Sequence, residues 1–327
     1  MKSELNVVVI GGGTGLSVLL RGLKHKYKNI TAIVTVADDG GGSGILREDL
    51  GMLPPGDIRS CIIALANTEP TMEKLLQYRF EEGRLKGQSF GNLFIAAMDG
   101  ISKNFEYAIK KISDILAVTG RVLPVSNEDV HLVAYLENGK VINGESNIPK
   151  RVSEENSRIK KIGYDKENVR SVTEVPIAIM DADIILIGPG SLYTSIIPSL
   201  IIEDVNQALK NTNSKIAFVS NLMTQRGETD GYSIAEHVQA AIEHIGENVF
   251  DFIITNKGKI SQETLDRYSE DGSEFLKMRK NDLEYFERNK IKIIEGNFIE
   301  VVQGYVRHDS FIIADVLEKL VDIKIYR

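Results

Sequence analysis

Five short stretches are apolar at nearly every position: 7–10, 30–36, 184–187, 215–219 and 252–255. Continuous Val/Ile runs of this length predict strands buried on both faces, as in a parallel sheet covered by helices. Apolar residues recur at helical spacing in 16–24, 58–66, 72–80 and 233–245. Strands and helices therefore alternate, and the pattern predicts an α/β doubly wound, mostly parallel, Rossmann-like sheet.

One region breaks the alternation. Between about 115 and 175 the helical period fades. An apolar run at 132–136 is followed by Asn138-Gly139 and then by Val141-Ile142. Asn-Gly between apolar runs predicts a hairpin, because a type I′ turn needs positive φ at both central residues. Residues 119–125 and 169–175 are expected to add strands to this antiparallel insertion. The charged stretch at about 260–290 predicts a helical cap, and 312–320 a last helix. The whole chain, 1–327, is read as one domain.

Composition narrows the classes. The chain has 39 Lys+Arg against 46 Asp+Glu, a formal charge of −7, which argues against bulk nucleic-acid binding. Apolar content of 43% is too high for disorder. No run of about 18 apolar residues predicts a membrane span, and the start is too short in apolar residues for a signal peptide. A single cysteine, Cys61, fits a cytoplasmic protein. The 28 glycines are unevenly placed: they gather after apolar runs, at 11–15, 40–44 and 188–190.

The first cluster reads strand, glycine turn, helix. Backbone N–H groups of Gly12, Gly13, Thr14 and Gly15, at a helix start, suit a phosphate. The loop is not the dinucleotide fingerprint, since Leu16 stands where the third glycine would be. It also lacks the Lys-Ser/Thr pair of a Walker loop. The second cluster follows Asp38-Asp39. An aspartate there would hold a ribose hydroxyl or a divalent metal. Asp57, in Pro54-Pro55-Gly56-Asp57-Ile58-Arg59, caps a helix or joins that site. Asp39 and Asp57, supported by Asp38, are the candidate metal-binding and catalytic carboxylates. Arg59 pairs with phosphate or with a surface carboxylate.

Further along, Asn92 caps an apolar helix or presents its amide to a ligand. The third cluster runs Gly188-Pro189-Gly190-Ser191-Leu192-Tyr193-Thr194-Ser195. Gly190, Ser191, Thr194 and Ser195 are expected to donate to phosphate or sugar oxygens, and Tyr193 to stack a base or simply pack. Asn221, Thr224 and Arg226 follow another strand end and are read as nucleotide contacts. Glu228 and Asp230 are read as loop or capping residues. Arg307-His308-Asp309 reaches the same site or caps the last helix. No Cys/His spacing suggests zinc.

Taken together, GGGTGLS at 11–17, DDGGGSG at 38–44, PPGDIR at 54–59, GNLFIAAM at 91–98, LPVSNEDVHL at 123–132, GPGSLYTSIIP at 188–198 and SNLMTQRGETDGYS at 220–233 resemble the gluconeogenesis factor, or YvcK-type, family. Gly42 departs from the serine expected there. The wider relatives are the CofD-like 2-phospho-L-lactate transferases, whose pattern matches Asp39 and Asp57. The resemblance implies a cytoplasmic factor needed for cell shape and wall synthesis during gluconeogenic growth. It implies a nucleotide ligand such as UDP-N-acetylglucosamine, UDP-glucose or NAD, and a protein partner in wall synthesis. The CofD-like relatives imply a divalent cation such as Mg and, as an alternative, transfer of a phospho-linked group from a nucleotide diphosphate donor. An NAD-binding oxidoreductase is a third reading. Homo-oligomerisation is left open; nucleic acid and membrane insertion are not expected.

Overall fold

The computed structural model describes residues 2–302 and 304–323. The chain opens with β1 (Ser3–Gly11), α1 (Gly13–Lys26) and β2 (Tyr27–Val34). Five helices follow: α2 (Gly41–Leu50), α3 (Gly56–Leu65), α4 (Pro70–Gln77), α5 (Phe90–Gly100) and α6 (Phe105–Ile115). Next come β3 (Arg121–Pro124), β4 (Leu132–Leu136), β5 (Val141–Asn143), α7 (Ile148–Glu155), β6 (Ile159–Tyr164) and α8 (Glu174–Met180). The second half holds β7 (Ile184–Ile187), α9 (Ile197–Leu200), α10 (Glu203–Asn211), β8 (Lys215–Val219), α11 (Ile234–Ile245) and β9 (Phe252–Asn256). It ends with α12 (Gln262–Glu270), α13 (Lys280–Arg288), β10 (Lys292–Gly296), β11 (Ile299–Val302), β12 (Tyr305–His308) and α14 (Ser310–Val321).

Seven strands form one parallel sheet in the order β10-β9-β8-β7-β1-β2-β3. The five apolar runs all lie in it. Val7, Val8, Val9 and Ile10 of β1 are each at most 2% exposed, which is why alternation is missing from the sequence there. Each such side chain contributes about 1.5–3 kcal/mol by leaving water. Helices α1, α3 and α14 pack together, as do α8 and α10. From β1 the chain winds outward through β2 to β3, then returns to β7 and winds the other way. The reversal falls between β1 and β7, and open α/β sheets bind ligands at such a point.

Residues 132–164 form a separate antiparallel sheet, β5-β4-β6. The Asn138-Gly139 turn joins β4 to β5, but of the two only Gly139 has a positive φ, +85°, so the hairpin forms without the type I′ turn expected. Two expected strands of the insertion are corrected. Residues 121–124 instead close the edge of the parallel sheet beside β2, where Pro124, lacking an N–H, is tolerated. Residues 169–175 form no strand. Val169, Val172 and Val175 are buried at a spacing of three, a turn and helix period, and lead into α8. The charged stretch 260–290 carries α12 and α13. Among the described residues, no helix is long and apolar enough to cross a membrane.

Candidate functional site

Two glycine turns meet at the reversal point. A Cβ on Gly15 would lie 2.7 Å from the Pro189 carbonyl oxygen, so only glycine lets the first turn dock on the second. Asn221, just past β8, closes on the second turn: its Nδ2 donates to Gly190 O at 2.8 Å, and its Oδ1 accepts from Gly190 N at 3.2 Å. Ser195 lies against Gly12 and Gly190. Helix α1 starts with no side-chain cap and no acid in its first turn. Its positive end is therefore directed into the crevice.

That end is partly satisfied from within the protein. Asp57 Oδ2 accepts from Gly13 N at 2.7 Å, so this aspartate caps α1 from another helix, α3. Burial pushes its carboxyl up to about 6; the Gly13 N–H opposes the rise and the charge of Asp38 adds to it. Asp38 Oδ1 accepts from Gly40 N at 2.9 Å. Asp39 turns aside. Its two oxygens accept from Glu145 N at 2.9 Å and Ser146 N at 2.8 Å, tying the turn after β5 to the loop between β2 and α2. His131 Nδ1 sits 3.9 Å from Asp39 Oδ2.

Two carboxylates join the crevice that sequence reasoning missed or undervalued. Glu145, on the turn held by Asp39, is pushed up to about 8 by burial and by Asp38, Asp39, Glu228 and Asp57. No local pattern marks it; only the tertiary fold brings it here. Glu228 is 3% exposed and pushed up to about 7 by burial. It accepts from Tyr193 N at 3.1 Å and from the Thr194 hydroxyl at 3.0 Å. It thus caps the π-helical turn at Leu192–Ile196, a position that would otherwise attract an outside anion.

The other expected ligand residues divide into engaged and free. Thr194 is held by Glu228, and Asn221 by Gly190. Thr224 Oγ1 accepts from Glu274 N at 2.8 Å, pinning the segment between α12 and α13. Ser89, not Asn92, caps α5: its Oγ accepts from Asn92 N at 3.1 Å. Asn92 Oδ1 and Arg59 Nε are buried without a hydrogen-bond partner, while Arg59 Nη1 donates to Ser89 Oγ. Thr14 and Ser191 hydroxyls have no partner among the described residues. Arg226 points away, its stem against Gly272. Tyr193 is buried and its hydroxyl pairs with that of Tyr232 at 2.8 Å, so it packs rather than stacks a base. Asp309 caps α14, whereas Arg307 and His308 line the crevice. They share a cavity of about 360 Å³ with Gly15, Val18, Asn221 and Tyr268.

Residues 7–299 match the family described as 2-phospho-L-lactate transferase CofD. The chain belongs to the CofD family. It is 41% identical over 321 residues to the gluconeogenesis factor of Bacillus subtilis, covering 98% of this chain and 99% of that one. A relative from Thermoanaerobacterium thermosulfurigenes is 57% identical over 316 residues, with 97% of each chain covered. A crystal structure of a Bacillus halodurans protein superposes with a TM-score of 0.92 at 40% identity, covering 97% of this chain and 100% of that one.

For a CofD-family protein, the donor set bears on metal binding. Among the described residues, no three His, Cys, Asp or Glu side chains converge as a metal cage. The charge of Asp38 bears on Asp57, whereas both oxygens of Asp39 are taken by backbone N–H groups. Asp38 and Asp57 are the hard oxygen donors that would hold a divalent cation, with the Arg59 guanidinium close enough to act on both and ligand oxygens and water needed for the remaining positions.

Proposed function

We propose that this CofD-family chain is a cytoplasmic regulatory factor that binds a nucleotide sugar, such as UDP-N-acetylglucosamine or UDP-glucose, and signals to a protein of wall synthesis. One observation carries the reading: two glycine turns docked at the reversal point, with the start of α1, satisfied only at Gly13 N by Asp57, beside a cavity. The free N–H groups of Thr14 and Gly15 would meet the diphosphate. Val18, Leu222, Met223, Tyr268 and Val306 give that cavity the apolar wall a planar base needs. Asn221 orients the second turn rather than touching the ligand. Native mass spectrometry of the purified protein is expected to reveal a co-purifying nucleotide, removed by denaturation. Protein that is folded and competent in cells yet never carries or takes up a nucleotide would count against the proposal.

A second reading is favoured by the carboxylates. The charges of Asp38 and Asp57 bear on each other and on Glu145, with the Arg59 guanidinium close by, and a divalent cation would relieve that repulsion as a phospho-group transferase needs. The cation would supply charge neutralisation of a leaving diphosphate. Asp38 and Asp57 would hold it, and Arg59 would lie beside them. Turnover of a nucleotide diphosphate donor, lost in Asp57→Asn, separates this reading from binding alone.

A further inference from the structure

The cavity at the glycine turns is lined on one side by Gly15, Val18, Gly190 and the loop after β8. Its remaining walls are Tyr268, Ser273 and the β12 residues Val306, Arg307 and His308. Tyr268 and Ser273 belong to one excursion of the chain, residues 259–273, which carries α12. This excursion is pinned at both ends. Before it, Asn256 Oδ1 accepts from Gly258 N and Phe298 N, each at 3.0 Å, and Asn256 Nδ2 donates to Gly258 O at 3.0 Å. After it, Thr224 N donates to Glu274 O at 2.7 Å, and Leu276 N to Leu222 O at 2.9 Å.

Between the pins the excursion is weakly held. Thr264 is the one buried residue of α12, whereas β9 behind the cavity is buried at every position. The side chain of Ser261 caps α12, Gln262 bonds to Asp266, and the N–H groups of Gly272 and Ser273 turn back to Ser269 and Tyr268. All of these bonds stay inside the excursion. Among the described residues one hydrogen bond leaves it: the Tyr268 hydroxyl accepts from Val306 N at 3.0 Å. Beside that bond, Arg267 lies on the same hairpin, its Cζ 5.5 Å from the Tyr305 ring centre and its guanidinium against Gly304. Segments with so few buried contacts open locally at a fraction of the global unfolding cost, and lids are drawn from them. The backbone provides joints: residues 257–261 are irregular, and Gly272, at φ +77°, stands just before the second pin.

We propose that residues 259–273 form a lid over the cavity at the glycine turns. The lid lifts between its two pins, and the Tyr268 hydroxyl and the Arg267 guanidinium latch it to the β11–β12 hairpin. Lifting carries Tyr268 and Ser273 away from the cavity and exposes the wall made by α1 and the second glycine turn.

The test follows opening in the full chain with no ligand added. Hydrogen exchange read by mass spectrometry should show the amides of 262–270 exchanging faster than those of β8 and β9. Tyr268→Phe keeps the ring and removes the hydroxyl, and Arg267→Gln removes the stacked guanidinium. Each should speed exchange in 262–270, by about five- to tenfold for the hydrogen bond lost in Tyr268→Phe, and leave β8 and β9 unchanged. Exchange of α12 at the rate of the sheet, or a rate that ignores both substitutions, would overturn the lid. The second arm places a thiol in the cavity wall with Val18→Cys; the native Cys61 is fully buried and adds little background. Labelling by a thiol reagent should be about five- to tenfold faster when Tyr268→Phe is added. Labelling indifferent to the latch would show that the segment does not gate the cavity, and would also overturn the proposal. Neither arm uses a nucleotide, so a failed lid leaves the proposed function standing, and a failed nucleotide titration leaves the lid standing.

Discussion

Asp57→Asn tests whether the crevice is strained by its own charge. The Asp57 carboxyl is raised from 3.8 to about 6, chiefly by burial. A raised acid favours its protonated form in the fold. Its contribution to stability is fully present below about pH 4 and is lost as pH rises through about 6. At pH 7.5 the ionised group therefore costs the fold at most about 3 kcal/mol, from a shift of about 2 units at 1.36 kcal/mol each. Asparagine removes the charge and keeps an oxygen for the Gly13 N–H. Loss of the charge-assisted part of that bond returns about 1 kcal/mol. The variant should be more stable than the parent by about 1–2 kcal/mol at pH 7.5 and within about 1 kcal/mol of it at pH 5. Urea unfolding at the two pH values measures this; the titration of Glu228 cancels in the difference, whereas Glu145, which the Asp57 charge helps push up, ionises more easily in the variant and adds to the gain at pH 7.5. Equal destabilisation at both pH values would show that Asp57 is chiefly a structural cap and refute the reasoning. A stabilised variant with weakened ligand binding would mark the site as one that trades stability for function.

Other outcomes follow from the same geometry. Gly15→Ala should separate the two glycine turns, destabilise the protein by about 1–3 kcal/mol and abolish nucleotide binding, read by thermal unfolding and titration. Asp39→Ala frees the Glu145 and Ser146 N–H groups. It should destabilise by about 1–3 kcal/mol and speed proteolytic cleavage near 139–147, while a variant cleaved no faster would deny Asp39 its anchoring role.

The fold was legible where burial is two-sided. The five apolar runs mark β1, β2, β7, β8 and β9 because a parallel sheet covered by helices leaves no polar face to break the pattern. The hairpin at Asn138-Gly139 was legible because one residue of its turn, Gly139 at φ +85°, needs a backbone angle few residues accept. Misread segments had weaker physics. The edge strand β3 is short and ends in proline, and Val169, Val172 and Val175 look apolar without showing their period at a glance. At the site, the glycine turns announced themselves through composition. The partners of each polar side chain did not. Asp57 caps a helix 44 positions away, and Glu145 enters through a turn whose own sequence, Gly144-Glu145-Ser146-Asn147, resembles any polar loop. Local sequence states which groups can bond; only the packed sheet and its insertion decide which of them meet.

The central claim is that the docked glycine turns form a nucleotide-sugar site. Calorimetric titration of UDP-N-acetylglucosamine into the purified chain, with and without Mg, tests it most directly. The account predicts saturable one-to-one binding that disappears in Gly15→Ala. A flat titration of folded, nucleotide-free protein at millimolar ligand, matched by an unshifted melting temperature, would contradict it.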